Sequence, residues 1–331
     1  MKQSAKARST TETNRSSMAA RVKRFLKLKR SLGFKMETEG ILLNQFAQFA
    51  SRHKLAGPLK AHDLIEWATG DSSHTRRYQV NRLSIVRSFA RHCAAEDDVS
   101  EVPPARLLSV NRQRKQPHVF TTSQITALMA AAGRLTPVYP NRPLVYATLV
   151  GLLACTGMRI SEAIGLTLAD IDLDEGLIVV RHTKFGKSRL VPLHPTALSA
   201  VRVYMRQRDP KNRAGTSESM LAGANGRALP YTTVLHTFRR LVRQLGFQSN
   251  GTLTQIRIHD LRHSFACERL NQWYRQGVDV EHAIASLSTY LGHGKVTDTY
   301  WYLTGTGELL ATVAERFEKF AASAVNERSL A

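Results

Sequence analysis

The 331-residue chain is predicted to be mainly α-helical with a small antiparallel sheet, arranged as two domains. Three observations carry that expectation. Apolar residues recur at three- and four-residue steps over most of the chain, the signature of helices with one buried face. The period shortens to two only between Leu166 and Pro192, where short strands are expected. Between two helical regions, the stretch from Asn111 to Pro117 is polar and basic with no apolar rhythm, which reads as a linker.

Charge narrows the class of partner. Forty-seven Lys and Arg stand against 26 Asp and Glu, a net +21 with a pI near 10.4. An excess of that size, spread along the chain, points to a polyanion, with nucleic acid favoured over a membrane surface. Cys93, Cys155 and Cys267 are odd in number and far apart, so they are expected to be buried thiols of a reducing compartment, with no disulfide frame. The longest apolar run, Leu144 to Cys155, falls short of the roughly 18 residues of a membrane span. No apolar h-region follows the basic N-terminus. The expectation is a cytoplasmic, nucleoid-associated bacterial protein that does not engage a membrane.

Taken in order, residues 1–18 are rich in Ser, Thr and basic residues and are expected to be a disordered tail. Residues 19–108 read as a helical, basic, DNA-binding domain. Its first helix carries Arg21, Lys23, Arg24, Lys27, Lys29 and Arg30 around Val22, Phe25 and Leu26, offering one face to a core and the other to phosphates. Helices follow over Glu37–His53, Lys60–Ala68 and Ser73–Ala95, the last interleaving Arg76, Arg77, Arg82, Arg87 and Arg91 with Tyr78, Val80, Leu83, Val86 and Phe89. After a linker over 109–120, a second domain over 121–307 opens at Thr121, which with Gln124 forms a capping-box pattern. A long apolar helix from Leu144 to Thr156 stops at Gly157, and another begins near Arg159. Strands are expected through Leu168, Ile171 and Leu173, then Leu177 to Val180, then Leu190 to Pro192. The last turn of that sheet carries Lys184, Gly186 and Lys187, and helices resume at Pro195. Residues 308–331 hold a C-terminal amphipathic helix and tail.

The densest chemistry lies in Ile258-His259-Asp260-Leu261-Arg262-His263-Ser264-Phe265-Ala266. His259, Arg262 and His263 fall at i, i+3 and i+4, so a permanent cation shares a helix face with two imidazoles. Such a set suits an anion held while protons move, and a phosphodiester fits. Histidines four apart are also zinc-ligand spacing, although the Arg262 charge opposes a divalent ion there.

Thr156-Gly157-Met158-Arg159-Ile160-Ser161-Glu162, Lys184 in a sheet turn, His259-x-x-Arg262, and Leu291-Gly292-His293 with Tyr302 nine residues on together resemble the tyrosine recombinase (phage integrase) family. The match runs through the whole second domain in order, and the first domain is similar to that family's SAM-like core-binding domain. The resemblance implies site-specific cleavage and rejoining of DNA through a 3′-phosphotyrosyl intermediate, with neither metal nor nucleotide cofactor. It implies Tyr302 as nucleophile and Arg159 and Arg262 as donors to the non-bridging oxygens. Lys184 would be the acid for the leaving 5′ oxygen, His259 and His293 would accept or relay protons, and Glu162 would support them. Lys187 is the alternative acid, and with Lys115, Arg76, Arg77, Arg82 and Arg87 it is otherwise expected to contact DNA. The expected assembly is a homotetramer on paired sites or a hetero-assembly with related recombinases.

Thr299-Tyr300-Trp301-Tyr302 offers two tyrosines two residues apart, which point in different directions on a helix. Tyr302 has the family spacing, and Tyr300 is expected to be core or support. The sequence after it, Leu303-Thr304-Gly305-Thr306, resembles recombinases of transposons and integrative elements. Two other readings stay open here: a type IB topoisomerase-like enzyme, and a catalytically silent DNA-binding accessory protein of the same fold.

Overall fold

The computed structural model describes residues 17–55, 57–109, 117–139, 141–181, 188–208, 219–224, 226–248, 255–300 and 302. The chain divides into two compact units, Met1–Arg114 and Lys115–Ala331.

The first unit is helical among its described residues. Helix α1, Met18–Ser31, starts at Ser17, whose hydroxyl accepts from the Ala20 amide. Helix α2 is Glu37–Arg52 and α3 is Ala61–Thr69. Helix α4, Arg76–Asp97, is capped by the Thr75 hydroxyl. Their apolar stripes meet in a core of Val22, Phe25, Leu43, Phe46, Leu64, Leu83, Val86 and Phe89. The rings interlock edge-on, Phe25 against Phe89 at 5.6 Å and Phe46 against Trp67 at 5.4 Å.

Two of the arginines expected on the DNA face lie inside this unit. Arg21 is buried in an ion pair with Asp97 at 3.0 Å and also donates to the Gly57 carbonyl. Arg82 is buried over the Trp67 ring at 4.1 Å, with its donors on the Trp67 carbonyl and His74. Both side chains hold helices together, which corrects the sequence-based expectation for them. Arg87 donates to the carbonyls of Pro103 and Pro104, pinning the segment that leaves the unit. Arg76 and Arg77 are exposed, whereas Lys115 lies outside the described residues.

The second unit packs from His118 and Phe120 onward, so residues expected in the linker already belong to it. Helix α5, Thr122–Gly133, has the capping box of Thr121 and Gln124 that the sequence predicts. Helix α6, Arg142–Thr156, is apolar on most sides because it is the buried axis of the unit, and it ends at Gly157 with φ +62°. A short α7, Ile160–Ile164, follows.

The first expected strand is mostly something else. Thr167 donates through its amide and hydroxyl to the Asp170 carboxylate, and Leu168–Asp170 closes into a 3₁₀ turn. That local side-chain capture competes with the strand and leaves only Ile171–Asp172 as β1. Strands β2, Leu177–Val180, and β3, Arg189–Pro192, complete an antiparallel sheet in the order β1-β2-β3. Val180 pairs with Arg189, so the connection that holds Lys184 and Lys187 leaves from that end; both lysines lie outside the described residues.

Helices α8, Pro195–Gln207, and α9, Tyr231–Gln244, cover the core. Helices α10, Asp260–Arg275, α11, Val280–Leu291, and the short α12, Thr297–Tyr300, carry most of the candidate site. Cys93 and Cys267 are buried as expected, but Cys155 is exposed, because it falls on the outward side of α6. The amphipathic segment expected after residue 308 lies outside the described residues. No described helix is long and apolar enough to cross a membrane.

Candidate active site

Three helix ends converge to build the site. The C-terminal ends of α6 and α11 close on glycines in the left-handed conformation, Gly157 at φ +62° and Gly292 at φ +68°. Unsatisfied carbonyls at a helix C-terminus form the negative end of its dipole and attract cations. Here they hold the two arginines. Arg262 donates to the Gly157 carbonyl at 2.9 Å and to the Leu291 carbonyl at 2.7 Å, and Arg159 donates to the Gly292 carbonyl at 2.7 Å. At Gly157 a Cβ would meet the Phe265 ring at 2.5 Å, so the tight turn and the close packing both require glycine.

Arg262 is only 1% exposed, and among the described residues no carboxylate forms an ion pair with it; its donors go to backbone carbonyls. Burial pulls its guanidinium down to about 10, with the nearby Tyr302 working against that shift. The group remains a cation at neutral pH. Arg159 sits at the N-cap of α7, half-buried, and its Nη1 meets Glu162 at 2.8 Å. Glu162 also receives the Arg159 amide at 2.9 Å and both Nη groups of Arg189, at 3.0 and 2.7 Å. Burial would raise the Glu162 carboxyl, but Arg189 and Arg159 outweigh it and hold the group down at about 2.

The third helix end is the start of α10. His259 stands at its N-cap position, next to a buried Asp260 that accepts from the Arg257 amide at 2.8 Å and pairs with its guanidinium at 3.0 Å. The His259 and His263 rings lie 5.0 Å apart, edge to face. His263 meets the Tyr302 ring edge-on at 5.3 Å, and His293 stacks on Tyr302 at 6.0 Å. His293 is oriented through its Nδ1, 2.8 Å from the Thr299 hydroxyl. Burial of the ring, reinforced by Arg262, Arg257 and Arg159, pushes His259 down to about 4, although the residue as a whole is exposed to solvent, which moderates the effect. Burial and His259 push His263 to about 3, and burial with Arg262 and Arg159 pushes His293 to about 4. At neutral pH all three are therefore neutral imidazoles, able to accept a proton.

Tyr302 is 3% exposed, whereas Tyr300 is 47% exposed. Burial raises the Tyr302 phenol, and the Arg262 cation beside it acts in the opposite direction. Arg159, Glu162, His259, Arg262, His293 and Tyr302, drawn from four separate motifs in the sequence, thus lie within one cluster. Lys184 falls outside the described residues.

Two participants, His263 and Arg189, are not among the residues that the family motifs name. His263 was on the expected helix face, but its packing on Tyr302 depends on tertiary contact. Arg189 had a readable signal: in β3 it alternates with buried Val191 and shares its side of the strand, while Leu190 between them is exposed. Among the described residues no group of three or more His, Cys, Asp and Glu side chains stands together as a metal site.

Residues 118–307 match the model of the phage integrase family. A Sinorhizobium fredii protein named as an integrase/recombinase, y4rB, is 36% identical over 303 residues, covering 90% of this chain and 96% of its own. Tyrosine recombinase XerC of Chlamydia trachomatis is 28% identical over 69% of this chain and 67% of its own. In fold, the chain is similar to the Tn1549 transposon integrase in complex with transposon right end DNA, with TM-score 0.62, 17% identity and coverage of 92% of this chain and 100% of that one. It is also similar to XerH bound to a palindromic difH substrate, with TM-score 0.64, 18% identity and coverage of 93% and 87%.

Proposed function

The chain belongs to the phage integrase family and is a site-specific tyrosine recombinase acting on DNA; from that premise we propose that it cuts each strand with Tyr302 and carries the break as a 3′-phosphotyrosyl bond. The burial of Tyr302 beside Arg262 and between two neutral histidines is the observation that carries the reading. An unperturbed phenol near pKa 10 is a poor nucleophile at neutral pH, and burial makes it poorer until a base takes its proton. Neutral His293 or His259 accepts that proton as the phenolic oxygen attacks phosphorus. The bond to the 5′ oxygen breaks, and the leaving oxygen takes a proton from Lys184, the role the family resemblance gives to that residue. Arg159 and Arg262 stabilise the negative charge that builds on the non-bridging oxygens. Rejoining is the same path reversed, with the 5′ hydroxyl as nucleophile, so the phosphodiester energy is conserved.

On this reading the protein works in the cytoplasm on double-stranded DNA, as a homo-oligomer on paired sites. Arg76 and Arg77, exposed on α4, contribute phosphate contacts. The test is adduct formation on nicked DNA carrying the element's own end. Tyr302→Phe should bind DNA normally and form no adduct, and Tyr300→Phe should form it at near the parental rate. An adduct that survives Tyr302→Phe would remove this assignment.

A further inference from the structure

We propose that Arg189 is a positioning residue for the cleavage step: its guanidinium, clamped on Glu162 and lodged under the Gly292 turn, sets where Arg159 and His293 stand relative to the scissile phosphate. The proposal rests on the phosphotyrosyl reading above.

Three observations meet at this side chain. First, Arg189 spans both oxygens of Glu162, at 3.0 and 2.7 Å, in the fork geometry that fixes a carboxylate's orientation as well as its charge. The same carboxylate holds Arg159 by its amide and its Nη1, so one rotation of Glu162 would move both contacts to Arg159. Second, a Cβ placed on Gly292 would lie 2.9 Å from Arg189 Nη1 and 3.5 Å from Arg159 Nη1. The turn that offers the Gly292 carbonyl to Arg159, and that leads directly into His293, therefore rests on the Arg189 guanidinium. Third, Arg189 begins β3 opposite Val180 in the sheet, so the clamp ties the rim of the β2–β3 hairpin to the start of α7 and the end of α11.

The charges explain why an arginine is needed here. With Arg159 alone, Glu162 would neutralise the cation meant for the phosphate. With two arginines on one carboxylate, the cluster keeps a net positive charge, and Arg159 is oriented without being cancelled. A lysine would preserve that charge but not the fork: a single ammonium cannot bridge both oxygens and support the Gly292 turn at once. Arg189 touches neither the nucleophile nor any leaving group in this scheme, and its effect passes through Glu162, Arg159 and Gly292.

The experiment is single-turnover adduct formation at saturating protein, with the full chain, on nicked DNA in two forms. One form has an ordinary scissile phosphate, and in the other a methyl group replaces either non-bridging oxygen, as separated diastereomers. Arg189→Lys and Arg189→Gln are compared with the parent and with Arg159→Ala, with DNA affinity and thermal midpoint measured alongside. Misplacing a catalytic group by a fraction of a turn costs about tenfold to a hundredfold in rate, and that loss is expected for Arg189→Lys with binding unchanged within twofold. On one methylphosphonate diastereomer the charge that Arg159 serves is already absent, so the gap between Arg189→Lys and parent should close along with that of Arg159→Ala. Arg189→Lys cleaving at the parental rate would overturn the proposal, as would an equal slowing on charged and neutral substrates, which marks general damage. If Arg189→Gln does not fold, Glu162→Gln alone and combined with Arg189→Lys gives the same reading: the pair should be no slower than the worse single variant, and additive losses would contradict the shared path. A parent that forms no adduct at all, or an adduct retained by Tyr302→Phe, would instead sink the phosphotyrosyl reading.

Discussion

Both units bury arginines, and they use them in opposite ways. In the helical unit Arg21 is locked to Asp97 at 3.0 Å, and Arg82 is stacked on Trp67 with its donors on His74 and the Trp67 carbonyl. Arg21 is neutralised by a carboxylate, and both side chains bind helix to helix. In the catalytic unit Arg262 is buried just as deeply, but it is held by the carbonyls of Gly157 and Leu291, which are dipoles and leave its charge intact. The cost of keeping a cation away from water without a counter-ion appears in its pKa, drawn down to about 10 mainly by burial. A counter-ion stabilises a fold. Its omission leaves a cation that, on the proposed mechanism, a substrate phosphate completes.

The comparison breaks most visibly under substitution. Arg262→Ala should slow adduct formation by about 10²- to 10³-fold, the usual effect of removing a donor to a developing oxyanion. It should cost less stability than Arg21→Ala, since no buried charge is left behind. Arg21→Ala strands Asp97, and unfolding by denaturant should show a loss of about 3 kcal/mol, the lower end for breaking a buried pair because Ser100 and Val99 still donate to that carboxylate. If Arg262→Ala were the more destabilising of the two, the distinction between a structural and a functional arginine would fail.

Acidity sharpens the same contrast more gently. His263 and His293 are held in the fold at about 3 and about 4, below the ordinary value near 6.5 of an unfolded chain. As pH falls below that ordinary value the unfolded state takes up protons first, so stability should decline from about pH 6.5 down through the folded values of about 4 and about 3. Glu162 adds its own loss from the usual carboxylate range near 4.5 down to its folded value of about 2, so it overlaps the lower end of the histidine window. Denaturant midpoints at several pH values should slope downward across the histidine window, and His263→Asn should flatten that slope. A parent whose stability is level across it would contradict the buried, neutral histidines.

The smallest effect belongs to the exposed arginines. Arg76→Ala with Arg77→Ala should weaken DNA binding severalfold and reduce its salt dependence, because each phosphate contact releases counterions. Affinity unchanged from low to moderate salt would remove α4 from the DNA face.

How much of this was legible in the sequence follows the same division. The helix stop at Gly157, the capping box at Thr121 and a small antiparallel sheet before Pro192 depend on local residue chemistry, and the sequence predicts them. Arg159, His259, Arg262, His293 and Tyr302 are recognisable because family motifs fix their spacing. Local pattern could not tell which arginines of a basic helix face inward: Arg21 and Arg82 sit between exposed cations, and only Asp97, Trp67 and His74, brought in from elsewhere in the chain, decide their place. The strand expected through Leu168 failed because Asp170 captures Thr167 within a single turn. For Arg189 only its side of the strand was readable, through the alternation with Val191, because its partners Glu162 and Gly292 are distant in sequence and only the fold brings them together.

On the proposed mechanism the buried Tyr302, and not the exposed Tyr300, forms the bond to DNA. The direct measurement is to trap the covalent complex of the unaltered protein on nicked DNA, digest both components, and locate the nucleotide-bearing residue by fragmentation mass spectrometry. The account predicts the phosphodiester remnant on Tyr302 alone, linked through the 3′ side of the break. A remnant on Tyr300, or on any other residue, would contradict it.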